Sequence, residues 1–199
     1  MPYTPEHAQR TRARIIEAAR RSFNRRGYLA VSIDDVMADA GLTRGGFYNH
    51  FSSKESLLLA VLDHASECSP LNGGEENVRD RAARSAQTID AYLSAAHLED
   101  VAAHCPLVAL PADVARGGDE LQTRYRQLVE AMVQVHTDGN GGDRPTALAT
   151  TAMCVGAMLI ARTSGDQALA SELLTAARNQ ALDLQATDSP QRRRGASGA

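Results

Sequence analysis

Apolar positions along the chain recur at three- and four-residue intervals, and no stretch alternates apolar and polar residues convincingly enough to suggest a strand. The pattern predicts an all-α protein. Between Pro5 and Arg26, residues Ile15, Ala18, Ala19, Ser22 and Phe23 share one helical face, the arginines lie mostly off it, and Gly27 follows as a C-terminal cap. A short helix is predicted next, from Ser32 to Gly41. Ser32 can accept a bond from a first-turn amide, and Asp34 and Asp35 favour the positive end of the helix dipole. Ile33, Val36, Met37 and Ala40 supply its apolar side, and Gly41 permits the left-handed turn that ends it, with Leu42 plugging the core beneath.

Thr43 is expected to cap a second short helix, Arg44 to about His50. Phe47 and Phe51, four residues apart, turn inward and leave Arg44, Tyr48 and Asn49 on the outer side. Ser52-Ser53-Lys54-Glu55 reads as a capping box with Ser52 as the cap and Glu55 at the third helical position. A longer helix carrying Leu57, Leu58, Val61 and Leu62 follows and is expected to end before Pro70. Further helices are predicted over about Val78–His97, Pro106–Arg116, Glu120–Thr137, Pro145–Thr163 and Asp166–Gln185, with glycine-rich breaks between the later ones. The polar tail from Ala186, containing Arg192-Arg193-Arg194, is expected to be disordered.

Charge sharpens this outline. The formal net charge of -3 conceals an asymmetry: residues 1–54 carry nine Lys or Arg against five acids, a balance of +4, and the remainder carries −7. A basic N-terminal unit on an acidic body suggests that only the first unit meets a polyanion. Two short helices joined through a glycine turn, after a longer helix, form a helix-turn-helix, whose second helix enters the major groove of DNA. Gly45 and Gly46 weaken that helix by about 1 kcal/mol each relative to alanine, which makes sense where the backbone must come close to DNA. Arg44 suits a bidentate contact with guanine, and Tyr48 and His50 offer polar tips to phosphates. Lys54 offers a point charge, and Ser32 and Thr43 bring helix-start amides to phosphate oxygens. The candidate DNA contacts are therefore Ser32, Thr43, Arg44, Gly45, Tyr48, Asn49, His50 and Lys54.

Thr43-Arg44-Gly45-Gly46-Phe47-Tyr48-Asn49-His50-Phe51, followed by Ser53-Lys54-Glu55-Ser56-Leu57, resembles the signature of the TetR family of bacterial regulators. Ile33-Asp34-Asp35-Val36 and Ala40-Gly41-Leu42 match it too, and the specific likeness covers about residues 8 to 62. The resemblance implies a helix-turn-helix domain over 1–54, a larger helical domain for ligand binding and dimerisation over 55–186, and a tail over 187–199. It implies a repressor that binds a palindromic operator as a homodimer and is released by a small inducer. The expected interface lies on the last two helices, with Ala152, Met153, Val155, Gly156, Leu159 and Ile160 on one and Leu169, Leu173, Leu174, Ala177 and Leu182 on the other.

His104-Cys105-Pro106 adds a candidate for the signal. Pro106 suits a first helical turn, which puts Cys105 near the cap, where the dipole and a protonated His104 would favour the thiolate. The segment is similar to the short helix of a TetR subgroup, including the N-ethylmaleimide reductase repressor, that senses electrophiles or oxidants through a cysteine; Pro106 and Pro111 depart from its pattern. The competing reading of Cys105 is a small packing residue, the role also expected of Cys68 and Cys154. Three widely spaced cysteines suggest neither a disulfide framework nor zinc. His97, His104 and Cys105 lack metal-ligand spacing, so no metal or cofactor is expected. No Walker loop, nucleophile elbow, Rossmann glycine pattern or HExxH indicates an enzyme. No signal pattern and no apolar run of about 20 residues is evident, so a cytosolic protein without a membrane partner is expected. Three Phe, five Tyr and no Trp suggest an inducer pocket of aliphatic and Met side chains.

Overall fold

The structure is a computed structural model that describes residues 5–67 and 78–187; Cys68 and the tail from residue 188 lie outside the described residues. All regular elements among the described residues are helical. Helix α1 spans Pro5–Arg26, α2 Ile33–Asp39, a 3-10 helix Arg44–Asn49 and α3 Lys54–Glu67. Then come α4 (Val78–Tyr92), α5 (Ala95–Glu99), a 3-10 turn at Val101–Ala103, α6 (Pro106–Ala109) and α7 (Pro111–Ala115). Three long helices complete the fold: α8 (Asp119–Gly139), α9 (Arg144–Thr163) and α10 (Gln167–Thr187).

Two of the predicted helices are broken. The segment expected over Val78–His97 stops at Tyr92, because the Ser94 hydroxyl accepts from His97 N at 3.1 Å and starts α5 afresh. The segment expected over Pro106–Arg116 divides at Leu110, whose φ of −123° and ψ of 13° leave helical geometry. Pro111 is the cause: it has no N–H to continue the ladder and its ring disfavours a helical residue before it.

Contacts divide the chain into two packing units, 1–68 with 101–126, and 69–100 with 127–199. This differs from a partition at Lys54, because α3 packs on α1 and the returning stretch 101–126 packs there too. In the first unit the predicted face of α1 is buried throughout, at Ile15, Ala18, Ala19, Ser22 and Phe23. It meets Val36 and Met37 of α2, Phe47, and Leu57, Leu58, Val61 and Leu62 of α3 in one core. Buried Asn24 ties the returning stretch to α1: its Nδ2 donates to Ala102 O at 3.0 Å and His104 O at 2.9 Å, and Arg20 donates to Ala102 O at 2.7 Å.

In the second unit α9 and α10 lie side by side with α4 against both. Small side chains suit that close approach: Ala147, Ala157 and Ala161 on α9 and Ala170, Ala177 and Ala181 on α10 are all buried. The opposite side of α9 stays apolar and open, with Leu148 and Ile160 exposed, as is Leu169 on α10. That double-sided apolarity amends the sequence expectation on membranes: α9, at 20 residues, is long and apolar enough by length and composition to cross one. Its packed face is what such a helix shows in the core of a helical unit.

A buried polar chain runs through the second unit. The Ser85 hydroxyl donates to Gln185 Oε1 at 3.0 Å and lies 2.9 Å from His136 Nδ1, and Gln185 Nε2 donates to Thr150 Oγ1 at 3.1 Å. With the Ser85 proton given to Gln185, the Nδ1 tautomer of His136 completes the chain, and Nε2 has no hydrogen-bond partner among the described residues. Gly139 is required here, because a Cβ would lie 2.3 Å from that of Ser85. Burial pushes the His136 imidazole down to about 4. The folded value lies below the unfolded one, so the neutral ring's contribution is fully present above the unfolded value of about 6.5. It is lost as pH falls toward about 4, on the order of 3 kcal/mol in all. Denaturant melts from about pH 7 to pH 4 should show this decline, flattened in His136→Gln; a parent and variant with parallel pH profiles would contradict it.

Candidate nucleic-acid interface

The candidate surface is built on a short polypeptide held from behind. Ser32 caps α2 by a reciprocal box: its hydroxyl accepts from Asp35 N at 3.1 Å, and Ser32 N donates to Asp35 Oδ2 at 2.7 Å. The Ser32 hydroxyl, which also donates to Asp35 Oδ2 at 2.6 Å, and then Ser32 N hold the Asp35 carboxyl below its usual range, helped by Arg26, whose Nη1 lies 3.4 Å away. At the far end of α2, Arg14 reaches from α1 to donate to Ala40 O at 2.6 Å. Gly41 then turns the chain with φ +64°, a conformation a side chain would strain.

The recognition element that follows differs from its expectation. It is a 3-10 helix over Arg44–Asn49, not an α-helix to His50, with Gly46 N bonding Thr43 O at 3.0 Å and His50 N bonding Phe47 O at 2.9 Å. Two glycines in its first turn give little drive to a wider α-helical turn, and the tighter form results. Thr43 sits at the cap position as expected, but its hydroxyl makes no capping bond. Phe47 is wholly buried, and its ring lies 5.7 Å from that of Phe51 and 5.3 Å from that of Tyr48.

The predicted cap of α3 is corrected by one residue. Ser53, not Ser52, is the cap: its hydroxyl accepts from Ser56 N at 3.0 Å, while Ser53 N donates to Ser56 Oγ at 3.1 Å. Glu55 takes no part in the box. The bond from Phe51 N to Phe47 O keeps the chain tied to the recognition element through Phe51, which displaces the helix start.

Of the eight candidate contacts, Ser32, Thr43, Arg44, Gly45, Tyr48 and Asn49 are exposed, and His50 and Lys54 are half-buried. Tyr48 is 58% exposed, an unusual position for a large ring with one face on the core. A Cβ on Gly45 would meet nothing within 4 Å, and its backbone is not in the left-handed region. Nothing within the fold therefore requires glycine there.

Lys54 is the first residue of α3, where the helix dipole opposes a cation. Its ammonium lies 4.2 Å from the ring centroid of Tyr28, and burial lowers its pKa against the pull of Asp113 and Asp35. Tyr28 N in turn donates to Asp113 Oδ2 at 3.3 Å. Sequence spacing gave no sign of Tyr28 or Asp113 as supports for Lys54, because they lie 26 and 59 positions from it. Nor did it reveal that Asp34 accepts from Arg44 Nη1 at 2.6 Å. The other α1 arginines are largely committed within the protein: Arg12 lies 4.9 Å over Phe51, and Arg20 and Arg21 bond Glu17.

Cys105 is half-buried and caps the one-turn helix α6 without a side-chain capping bond, one residue from the His104 carbonyl held by Asn24. Cys154 is buried, which pushes its thiol up to about 12. Among the described residues no group of three or more His, Cys, Asp or Glu could hold a metal ion.

Residues 15–61 match the model of bacterial regulatory proteins, tetR family. The HTH-type transcriptional regulator TtgR of Pseudomonas putida is 48% identical over 64 residues, which cover 32% of this chain and 30% of TtgR. An uncharacterized HTH-type transcriptional regulator of Bacillus subtilis, YfiR, is 37% identical over 60 residues, 30% of this chain and 29% of YfiR. The match thus spans under a third of the length of these curated relatives. Over the whole fold, a TetR transcriptional regulator from Chloroflexus aurantiacus superposes with a TM-score of 0.68 at 22% identity, covering 89% of this chain and 95% of that one. The reduced form of Escherichia coli NemR gives 0.64 at 21%, covering 85% and 95%.

Proposed function

We propose, from the premise that this chain belongs to the tetR family of bacterial regulatory proteins, that it is a cytoplasmic transcriptional repressor and not an enzyme, occupying a palindromic operator as a homodimer. The observation that carries the reading is the contrast at residues 43–49. Phe47 is fully buried, while Thr43, Arg44, Gly45, Tyr48 and Asn49 around it are exposed. A pinned element with a polar outer edge is what major-groove reading needs. Lys54, half-buried at a helix end that disfavours it, is the phosphate contact. Gly45 keeps the backbone clear for close approach.

Gel-shift titration against a duplex selected from a randomised library tests this. Lys54→Ala should weaken all duplexes about evenly and reduce the salt slope by about one. Arg44→Ala should relax one base position at a cost of about 1–3 kcal/mol. Gly45→Ala should keep the parent's melting temperature yet lose affinity, since its methyl meets only the ligand. Parent-like binding by all three would sink the assignment.

Pairing through α9 and α10 is supported by the open apolar side of α9, where Leu148, Ala149, Ala152 and Ile160 are exposed at helical spacing, next to Leu169 of α10. Two copies would read two half-sites. Ile160→Asp should shift sedimentation toward monomer and weaken operator binding; a variant that sediments as the parent does would refute this interface.

Release by a small molecule or by thiol modification completes the reading. Cys105 is half-buried and follows the His104 carbonyl that α1 grips through Asn24, so an adduct there would press on the DNA-binding unit. With N-ethylmaleimide the sulfur adds across the ring C=C and the neighbouring carbon takes the proton. The reagent should release DNA from the parent and not from Cys105→Ser; equal release from both would exclude Cys105 as the sensor.

A further inference from the structure

The contact between Arg44 and Asp34 does nothing that the fold needs. Both side chains are well exposed, at 63% and 55%, so the pair adds little to stability. Helix α2 is already capped by Ser32 and Asp35, and Asp35 is matched by Arg26. Asp34 shares the dipole-favoured first turn of α2 with Asp35 but takes no part in the cap. A carboxylate on a surface that meets phosphates also works against DNA affinity, since affinity for DNA rises with each phosphate charge a protein neutralises. A local choice that opposes the task of its surface points to a compensating gain.

The gain lies in what Asp34 does to Arg44. The hydrogen bond engages Nη1 at 2.6 Å and biases the guanidinium toward one orientation at the start of the 3-10 helix. The remaining donors of the fork, at Nη2 and Nε, stay available for an acceptor in front of it. An arginine so biased loses less side-chain freedom on binding than a mobile one. The carboxylate also discriminates between acceptors. It repels a phosphate brought up to the same guanidinium, whereas the O6 and N7 of guanine carry no net charge. Specificity is a difference of affinities, and a repulsive element against the wrong acceptor raises it even where it lowers affinity.

Building on the DNA-binding reading above, we infer that Asp34 is a specificity-determining residue, its carboxylate holding Arg44 for a guanine edge and keeping it off the phosphates.

The test uses the full-length chain and two duplexes: the consensus the parent selects from a randomised library, and a shuffled duplex of the same composition. Asp34→Asn and Asp34→Ala should bind the shuffled duplex more tightly than the parent and with a steeper salt dependence. Their ratio of consensus to shuffled affinity should fall about tenfold, with the loss concentrated at one base position per half-site. In an Arg44→Ala background the Asp34 substitution should leave that ratio unchanged, because the two residues act as a unit. A rise of both affinities by one common factor would reduce Asp34 to bulk charge and overturn the inference. So would an unchanged ratio, or a fall of the same size without Arg44. A parent that selects no consensus would remove the DNA-binding reading itself, a failure distinct from these.

Discussion

Burial of Phe47 is the constraint on which the helix-turn-helix depends. A six-residue 3-10 helix with two glycines has almost no intrinsic stability, so its position must come from a side chain driven into the core behind it. Phe47 does this, and burying a ring of that size stabilises by about 1.5–3 kcal/mol relative to leaving it in water. Because one apolar anchor holds the element, its polar neighbours owe nothing to the fold. The support continues backward through Gly41, Arg14 and the serine caps, each of which satisfies a backbone group at a helix end.

Local chemistry made much of the architecture legible. The buried face of α1 and the apolar side of α2 could be read from periodicity, because a helix with one wet face has to repeat near 3.6 residues. Gly41 and Ser32 could be read from what a turn and a cap require. The misjudged places are those where two local signals competed. Ser52 and Ser53 offer the same hydroxyl, and only the tie between Phe51 and Phe47 decides which one caps α3. Pro106 and Pro111 both suit a first turn, and two first turns five residues apart make two helices where one was expected. The turn at Gly45 and Gly46 could have been read as 3-10 from propensity alone.

The supports of the candidate site were not legible, for a different reason. Tyr28 beneath Lys54, Asp113 beside Tyr28 and Asn24 on the carbonyls of Ala102 and His104 are pairings across distant stretches of chain. Periodicity reports which way a side chain faces and nothing about its partner. The buried chain from His136 to Thr150 is hidden in the same way. Each of its four members reads singly as an ordinary polar residue, and only the packing of four helices turns them into one hydrogen-bonded line.

Asn24 has a consequence for how the protein comes into being. Its amide and the end of α1 close on residues made some eighty positions later, so the N-terminal packing unit is discontinuous in the chain. During synthesis from the N-terminus, helices α1 to α3 leave the ribosome before the segment that covers Asn24 exists. The nascent chain must keep that buried amide solvated until residues 101–126 arrive, and loop closure over that span slows the last step. Completion of the N-terminal packing unit is thereby delayed until residues 101–126 have been made.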